Sequence, residues 1–379
     1  MKKIQIAFLS ANAYPLFNPD APPAFGGAEV DQYNLAVYLA QQPDFSVIFY
    51  VGDFGQPDEP EFRDGVRLEK IRYFGWHQKT PKQKLVFYSR LWRTLWRSPA
   101  QVMLTEMAND MVGWAALFFK VFRNKYMIHR LASDNDTAFT SPSAAGGRRT
   151  YHLYRLGLYR ADEVLTQTVQ QQRLLKERMQ VESRVVPNGF PAGEAINFQE
   201  KKDILWVGRC IALKRPRLFL QLAQQLPHLS FKMIMPPPSP MEPPAFLAQA
   251  AEMTSLAKSL PNLTFLPSVP FREIQAHYNS ARALVNTSEY EGFPNSFVQA
   301  CLGGAPIASL KVDPDGVITR HGLGICCHDD MQQMEDFLRR LDDDTLRQLG
   351  TGALKYGREH HQIEVMGEPY ASMIRQRFA

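Results

Sequence analysis

The sequence predicts an α/β protein of two successive, doubly wound domains, and three observations support this prediction. Short apolar runs of strand length alternate with segments of helical periodicity along most of the chain. The runs are almost continuously apolar, as expected for parallel strands that are buried on both faces. The chain has 379 residues, which is enough for two domains of ordinary size. Two such series in succession indicate two parallel sheets, each covered by helices.

The first series begins at residues 4–10, where an apolar run containing one Gln ends in a polar loop. This pattern predicts a buried strand and not the longer apolar region of a signal sequence. Further apolar runs with polar or turn-forming boundaries predict strands at 47–53, 66–74, 102–106, 126–132 and 163–168. Helical periodicity predicts helices at 28–42 and 171–179.

The second series follows a polar stretch with Pro and Gly at 191–202. Its apolar runs predict strands at 203–209, 231–235, 263–267, 282–288, 306–310 and 322–327. Helices are predicted at 215–226, 255–260, 331–341 and 363–378. We therefore expect a first domain at 1–190, a second domain at 191–361 and a terminal helix at about 362–379.

Composition excludes several classes of protein. Hydrophobic residues make up 45% of the chain and charged residues 21%, which excludes a disordered or fibrous protein. The four cysteines form no CxxC pair, so neither a disulfide framework nor a structural zinc site is expected. No run reaches about 18 apolar residues, so no membrane span is expected. These features predict a cytosolic protein.

Positive charge is concentrated in the first half of the chain. Residues 1–190 contain 24 Lys and Arg against 18 Asp and Glu. Between Lys70 and Arg130, 12 basic residues stand against two acidic ones. This excess predicts an anionic partner, and the absence of a recognisable nucleic-acid-binding motif favours an anionic membrane surface over nucleic acid.

The segment 88–99 interleaves arginines with Trp and Leu at helical spacing, which is typical of a helix at an anionic lipid surface. The alternative is a helix that packs its Trp face on its own domain and leaves the arginines in water. The membrane-surface candidates are Arg90, Trp92, Arg93, Trp96 and Arg97.

The most specific motif lies at 288–309. It follows a predicted strand, turns at Glu291-Gly292-Phe293-Pro294 and enters a short helix. The amides and dipole at such a helix start point toward an anion beyond the end of the strand. Gln299 lies one turn after Asn295 on the same helical face. The alternative is an ordinary connection with a surface glutamate.

Two further segments strengthen this interpretation. Arg209 and Lys214 follow the strand that begins the second domain, and two cations at a strand end can hold a diphosphate without a metal. Solvated surface charges would give the same pattern. Gly26 and Gly27 precede a predicted helix, where backbone can approach a ligand closely. The GxGxxG fingerprint of dinucleotide-binding proteins is absent.

Taken together, these motifs resemble those of the glycosyltransferase family four group, which are GT-B-type nucleotide-sugar transferases. The segments that carry the resemblance are Gly26-Gly27-Ala28-Glu29, Val186-Pro187-Asn188-Gly189, Val207-Gly208-Arg209 with Lys214, Glu291-Gly292-Phe293-Pro294-Asn295, and Gly304 with Pro306. The resemblance implies two facing Rossmann-like domains, with the C-terminal helix returning to the first. It also implies a donor bound mainly by the second domain, transfer with retention of configuration and no metal or other cofactor.

Residue roles follow from the resemblance, position by position. It implies that Arg209 and Lys214 neutralise the leaving diphosphate and that Glu291 accepts hydrogen bonds from the donor sugar. A catalytic histidine is also implied, and His129 is the best match; a histidine satisfied inside the sheet is the alternative. The implied donor-binding residues are Gly26, Gly27, Gly292, Phe293, Asn295, Ser296 and Gln299.

One position departs from the family pattern. The family has a second glutamate, which holds the ribose of the nucleotide, where this chain has Gln299. A glutamine keeps one acceptor oxygen and adds two donors, which puts the identity of the donor in doubt more than the class of reaction. Asp134 lies in a small-residue-rich segment at 133–149, predicted as a loop, and is a candidate to orient an acceptor or donor.

The sequence therefore predicts a metal-independent, retaining glycosyltransferase that moves a sugar from a nucleotide diphosphate donor to a glycan or lipid-linked acceptor. The expected context is the synthesis of a cell-surface polysaccharide or glycolipid by a cytoplasmic protein, peripheral on the inner membrane face. The alternatives are a metal-dependent transferase or a nucleotide-sugar epimerase of similar fold, and a non-catalytic nucleotide-sugar-binding protein.

Overall fold

The computed structural model describes residues 3–22, 24–75, 80–193, 195–238 and 243–379. These residues form two compact units. The first comprises Met1–Gly189 with Ile363–Ala379, and the second comprises Phe190–Gln362. Each unit is a parallel sheet covered by helices, so the predicted α/β class with two doubly wound domains is confirmed.

The sheet of the first unit places its earliest strand at the centre. Its strands are β1 (Ile4–Ser10), β2 (Phe45–Val51), β3 (Glu61–Arg63), β4 (Val66–Lys70), β5 (Val102–Glu106), β6 (Tyr126–Arg130), β7 (Glu163–Thr166) and β8 (Arg184–Val185). They are ordered β3-β4-β2-β1-β5-β6-β7-β8. Within the described residues, neighbouring strands are parallel except for the pair β3 and β4.

Helices cover both faces of this sheet. They are α1 (Tyr14–Phe17), α2 (Gly27–Gln41), α3 (Pro81–Arg97), α4 (Asp110–Ala115), α5 (Arg148–Arg160) and α6 (Val169–Met179). A π-helix at Ala116–Val121 continues α4 directly. The segment predicted as a loop at 133–149 contains a 3₁₀-helix at Asp134–Ala138, capped by Ser133, and ends where α5 begins.

The second unit repeats this arrangement with a smaller sheet. Its strands are β9 (Asp203–Val207), β10 (Phe231–Ile234), β11 (Leu263–Leu266), β12 (Ala281–Asn286), β13 (Ile307–Ser309) and β14 (Gly324–Cys326). They are ordered β11-β10-β9-β12-β13-β14, and adjacent strands run parallel. Its helices are α7 (Pro216–Gln225), α8 (Pro244–Ser259), α9 (Ile274–Asn279), α10 (Asn295–Leu302), α11 (Val317–His321), α12 (Met331–Arg340) and α13 (Asp343–His360).

The last helix, α14 (Ile363–Phe378), packs against α2 within the first unit. Gly367 permits the close approach, because a Cβ atom there would overlap the ring of Tyr38. Arg375 Nε donates to Asp44 Oδ2 at 2.8 Å, which fixes the far end of the helix at the start of β2.

Two helices of the second unit differ from the sequence prediction. The helix predicted at 255–260 begins much earlier, at Pro244, where proline is favoured in a first helical turn. The helix α13 was not predicted; Asp342 caps it by accepting a hydrogen bond from the Thr345 amide at 2.8 Å. Across the described residues, we find no helix with both the length and the apolar character needed to cross a bilayer.

Candidate active site

The second unit has a topological switch point between β9 and β12. The strand β9 is paired with β10 on one side and β12 on the other, so the connections that follow β9 and β12 diverge. In open α/β sheets, ligands bind in the crevice at the carboxyl ends of such strands. The segments that border this crevice are 208–215, after β9, and 287–295, after β12.

An ion pair joins these two segments. Lys214 Nζ contacts Glu291 Oε1, and the two side chains are 23% and 15% exposed. Lys214 is the last residue of a short 3₁₀-helix at Ala212–Lys214, and Glu291 lies in the turn before α10. The structure therefore brings together two residues that the sequence analysis had assigned to different parts of the donor.

Backbone and side-chain hydrogen bonds hold the two segments in register. The Glu289 amide donates to the Leu213 carbonyl at 3.0 Å. The fully buried Thr287 donates its hydroxyl to the Lys214 carbonyl at 2.6 Å and accepts from Trp206 Nε1 at 3.0 Å. Because Thr287 bonds to the backbone of Lys214, the position of the lysine is tied to the end of β12.

Arg215 is a site residue that the sequence analysis missed. Its backbone is left-handed, with φ of 46°, which is strained for a residue with a side chain. Its Nε donates to the Thr287 carbonyl at 2.6 Å, and its Nη1 pairs with Asp329 Oδ1 at 2.7 Å. The only signal in the sequence is Pro216, since a residue before proline avoids the right-handed helical region.

Arg209 contrasts with its neighbours. It lies two residues beyond the end of β9, its side chain is exposed, and within the described part of the chain it has no hydrogen-bonding or ion-pair partner. A guanidinium group in this position is available to an anionic ligand.

The start of α10 has the properties of an anion site. Pro294 is the N-cap residue and no side chain caps the helix. The amides of Phe297 and Val298 bond to the Pro294 carbonyl, at 2.9 and 3.4 Å. The Ser296 amide has no acceptor among the described residues, so it can meet a phosphate oxygen.

Gln299, one turn into α10, is a nearly buried side chain without a partner for its amide. It is 7% exposed, and no described residue hydrogen-bonds to its side chain. Two other residues of the motif are in different surroundings. Gly292 is buried, and the centroid of the Phe293 ring lies 4.6 Å from that of the His361 ring. Phe293 therefore stabilises the turn through its ring, whereas Gln299 retains free hydrogen-bonding capacity.

The candidate residues of the first unit lie in separate places within it. Gly26 is the N-cap residue of α2, its amide donates to Glu29 Oε2 at 2.8 Å, and Gly27 begins the helix. Asp134 begins the 3₁₀-helix after β6, and its Oδ2 accepts from Gln170 Nε2 at 3.1 Å.

His129 lies inside the sheet of the first unit. It is fully buried on β6, with Nδ1 at 3.1 Å from Thr105 Oγ1 and its ring against Tyr154. Burial lowers its pKa to about 3, so the imidazole is neutral. Among the described residues, its Nε2 has no hydrogen-bond partner.

A buried charged cluster lies next to His129. Arg130 Nη1 contacts Asp31 Oδ2 at 3.0 Å and Glu106 Oε1 at 2.8 Å. Burial raises the pKa of Glu106 well above its usual range, and the charge of Arg130 opposes this shift. Arg130 also donates to Asn188, the asparagine of the Val-Pro-Asn-Gly motif. This hydrogen bond gives that motif a structural role, because it joins the motif to the buried charged cluster.

Among the described residues, no set of three or more His, Cys, Asp or Glu side chains is arranged to hold a metal ion.

Comparison with known proteins identifies the class. A family model described as a glycosyl transferase 4-like domain matches residues 26–189, and one described as glycosyl transferases group 1 matches residues 201–344. No curated protein sequence matches the chain.

Solved structures share the fold over almost the whole chain. Sucrose-phosphate synthase from Thermosynechococcus elongatus has a TM-score of 0.78 at 17% identity, covering 99% of each chain. A structure described as trehalose-6-phosphate from E. coli bound with UDP-2-fluoro glucose has a TM-score of 0.69 at 11% identity, covering 98% of this chain and 99% of that one. WaaG, a glycosyltransferase involved in lipopolysaccharide biosynthesis, has a TM-score of 0.67 at 15% identity, covering 97% and 99%.

Two Rossmann-like units with parallel sheets, and these matches, define a glycosyltransferase with the GT-B fold. The chain belongs to the glycosyltransferase family four group, as its motifs predicted.

Proposed function

We propose that the protein transfers a sugar from a nucleotide diphosphate donor, with retention of configuration and without a metal ion. The observation that carries this proposal is the Lys214–Glu291 pair at the switch point of the second unit, together with Arg209 in the same segment as Lys214, whose side chain is exposed and has no partner among the described residues. These groups provide cations for a leaving diphosphate and an acceptor for sugar hydroxyls, which are what such a donor requires.

In the proposed mechanism, Arg209 and Lys214 stabilise the negative charge that develops on the diphosphate as the glycosidic bond breaks. The Ser296 amide, which has no acceptor among the described residues, and the dipole of α10 add to this stabilisation. Glu291 exchanges its contact with Lys214 for hydrogen bonds to the donor sugar. The departing diphosphate accepts the proton of the acceptor hydroxyl, which attacks from the face that the leaving group vacates. No protein nucleophile takes part.

Gln299 is the proposed partner of the ribose. Its side-chain amide is nearly buried without a hydrogen-bond partner in the described residues, and a ribose hydroxyl could donate to its oxygen. His129 remains a proposed catalytic residue with a restriction: it is fully buried and neutral, so it would act as a neutral hydrogen-bonding group and not as a cation.

The proposed acceptor is a growing glycan or a lipid-linked intermediate, in the synthesis of a cell-surface polysaccharide or glycolipid. This proposal places the protein in the cytoplasm, peripheral on the inner membrane face. Its support is the basic excess between Lys70 and Arg130 and the exposed arginines of α3.

A panel of nucleotide sugars in a thermal-denaturation assay tests donor binding, because a true donor stabilises the native state by mass action. The donor that raises the melting temperature most is then incubated with candidate acceptors, and NMR of the product gives the anomeric configuration. Retention of the anomeric configuration of the donor sugar supports the proposal, and inversion of that configuration overturns the proposed mechanism. Release of a free epimerised sugar would favour an epimerase, and binding without turnover would favour a non-catalytic protein.

A further inference from the structure

The helix α3 exposes an apolar stripe on the side away from the core. Its side chains turned toward the core are Phe87, Leu91 and Leu95. The apolar side chains left exposed are Leu85, Trp92 and Trp96, at 71%, 47% and 44%. The last two are one helical turn apart with ring centroids 6.3 Å from each other, so they form a continuous surface and not isolated exposed residues.

A second element extends this surface. The ring of Phe122, which is 56% exposed, lies 6.3 Å from the ring of Trp96. Phe118 follows at 6.4 Å from Phe122, and Trp114 at 5.5 Å from Phe118. Trp114 belongs to α4, Phe118 lies in the π-helix at Ala116–Val121, and Phe122 directly follows that π-helix.

The two elements are held together at the C-terminal end of α3. Arg123 Nη1 donates to the Ser98 carbonyl at 2.9 Å, and Lys125 Nζ donates to the same carbonyl at 2.8 Å. These cations satisfy an acceptor just past the last turn of α3. The aromatic row therefore belongs to one fixed surface, which we call the aromatic stripe: Trp92, Trp96, Phe118 and Phe122.

Arginines lie beside the aromatic stripe. At 100° per residue, Arg93 and Arg97 project about 100° around α3 from Trp92 and Trp96, and Arg90 lies close to them. All three are exposed and, among the described residues, none makes an ion pair. The helix contains no Asp or Glu, so its exposed face carries an apolar row and a cationic row side by side.

A cleft opens next to the cationic row. Its volume is about 180 Å³, and its lining includes Arg93, Thr94, Arg97, Tyr50 and Glu69. The carboxylate of Glu69 is paired with Arg67 at 2.9 Å, so it is already neutralised. The guanidinium groups of Arg93 and Arg97, which have no ion pair among the described residues, and the Thr94 hydroxyl remain, and these groups suit a phosphate group.

We propose that this surface docks the first unit on an anionic phospholipid bilayer, with the aromatic stripe in the interfacial layer and a headgroup phosphate in the cleft between Arg93 and Arg97. Aromatic rings favour the level of the headgroups, and arginines beside them gain from anionic lipid. This inference names the surface through which the proposed function would place the protein on a membrane. It rests on the proposed function only for the identity of the acceptor, because docking on a bilayer requires neither a bound donor nor sugar transfer.

Co-sedimentation of the full chain with phosphatidylcholine vesicles, with and without phosphatidylglycerol, tests the proposal. We expect binding to the anionic vesicles alone, and a decrease as salt rises. In Arg93→Ser/Arg97→Ser the partition coefficient should fall about 25-fold, which is roughly fivefold for each arginine. In Trp92→Ala/Trp96→Ala it should fall about tenfold or more, since two interfacial rings are lost.

A matched control removes the same charge elsewhere. Arg340 and Arg347 are exposed arginines of α12 and α13 without ion pairs among the described residues. The variant Arg340→Ser/Arg347→Ser should change vesicle binding by less than about twofold if location decides binding. Equal losses in the two double variants would mean that net charge alone acts, and the proposed surface would be wrong.

Two further outcomes overturn the inference. Failure of the wild-type chain to sediment with anionic vesicles, or its retention by duplex DNA instead, would reject a bilayer as the partner. Complete competition by inorganic phosphate would show a free-anion site and not a docking surface. Donor-induced thermal stabilisation is measured on every variant; if it persists where vesicle binding fails, only the docking inference falls and the donor site stands.

Discussion

Arg209 and Lys214 belong to one loop but have different surroundings. Lys214 is held against Glu291, whereas Arg209 is exposed without a described partner. If both face the leaving diphosphate, each supplies transition-state stabilisation that water does not replace. We expect Arg209→Ala and Lys214→Ala each to lower kcat about 100-fold or more, as for the loss of one electrostatic donor.

Arg217 provides the control for this pair. It is a half-exposed arginine of α7, only three residues from Lys214, and is paired with Glu252 at 2.6 Å. Arg217→Ala should keep turnover within about twofold, because an exposed pair contributes little. Turnover within threefold of wild type in both loop variants would withdraw the assignment of the diphosphate site.

Arg215 acts on this site through other residues, as a positioning residue. Its side chain joins the segment after β9 to the Thr287 carbonyl and to Asp329, while its left-handed backbone is strained. We expect Arg215→Gly and Arg215→Ala to lose turnover alike, roughly tenfold. Arg215→Gly should nevertheless be the more stable to unfolding by about 1 kcal/mol, because glycine relieves the strain.

Steady-state kinetics and urea unfolding of the same two variants separate the roles. Equal kinetic losses with unequal stability show that the site geometry, and not the folding free energy, sets turnover. If turnover instead follows stability across the two variants, Arg215 is a structural residue alone.

Variants of Gln299 test the effect of having a glutamine where the family pattern has a glutamate. A neutral hydrogen bond contributes roughly 0.5–1.5 kcal/mol, so Gln299→Ala should weaken binding of the cognate nucleoside diphosphate about 3- to 10-fold. Gln299→Glu should bind comparably, because a charged acceptor gains strength but lies nearer the diphosphate. Calorimetric titration measures both, and an unchanged dissociation constant in Gln299→Ala would place the glutamine away from the ribose.

The sequence was informative where a residue acts through its own chemistry next to a recognisable boundary. Arg209, Lys214 and Glu291 follow strand ends, and strand ends are visible as apolar runs. Arg215 was not predictable, since its role depends on Thr287 and Asp329, which are distant in sequence. The spacing of residues along the sequence also could not show that His129 is fully buried or that Lys214 and Glu291 form an ion pair.

Between elements, α14 packs closely on α2. A methyl group at Gly367 would overlap the Tyr38 ring, and the helices cannot separate without exposing buried residues such as Tyr370. Gly367→Ala should therefore lower the free energy of unfolding by about 1–3 kcal/mol, as expected for overpacking.

Gly352 in α13 is the matched control, since a Cβ atom there has only the Gly322 carbonyl within 4.0 Å. Gly352→Ala should stabilise the protein by about 0.5–1 kcal/mol, as alanine does in an unobstructed helix. Urea unfolding of both variants measures the difference. Stabilisation by both would show that α14 can adjust its position on α2.

Element boundaries show where periodicity stops being informative. Most strands of both sheets were predicted because buried parallel strands are continuously apolar, whereas β3 and β8, the short strands at the two edges of the first sheet, were missed. The start of α8 at Pro244 was missed because its proline-led first turn ends a Pro-rich stretch, which is typical of a loop. Phe118 and Phe122 have an ordinary helical spacing, but the contact of Phe122 with Trp96 joins elements that are distant in sequence, so spacing alone could not show that the two helices form one aromatic stripe.

At the scale of the molecule, the proposed reaction uses side-chain cations where other transferases use a metal. Activity should therefore be essentially unchanged by EDTA. If the reaction required a bound metal ion, EDTA would instead abolish turnover by removing that ion, and added Mn²⁺ or Mg²⁺ would restore it. Turnover measured with and without chelator, using the donor identified by thermal denaturation, distinguishes the two; metal-dependent loss and recovery would favour the metal-dependent alternative.

The return of α14 to the first unit has a consequence for synthesis of the chain. That unit is completed by a helix that follows the entire second unit, Phe190–Gln362. At about 5–20 residues per second, a ribosome needs roughly 10–40 s to translate from Gly189 to the end of α14. For that interval the face of α2 around Tyr38 has no α14 to cover it. A nascent chain therefore carries an unfinished first unit until α14 has been synthesised, and during that time the uncovered face of α2 is open to contact with other chains.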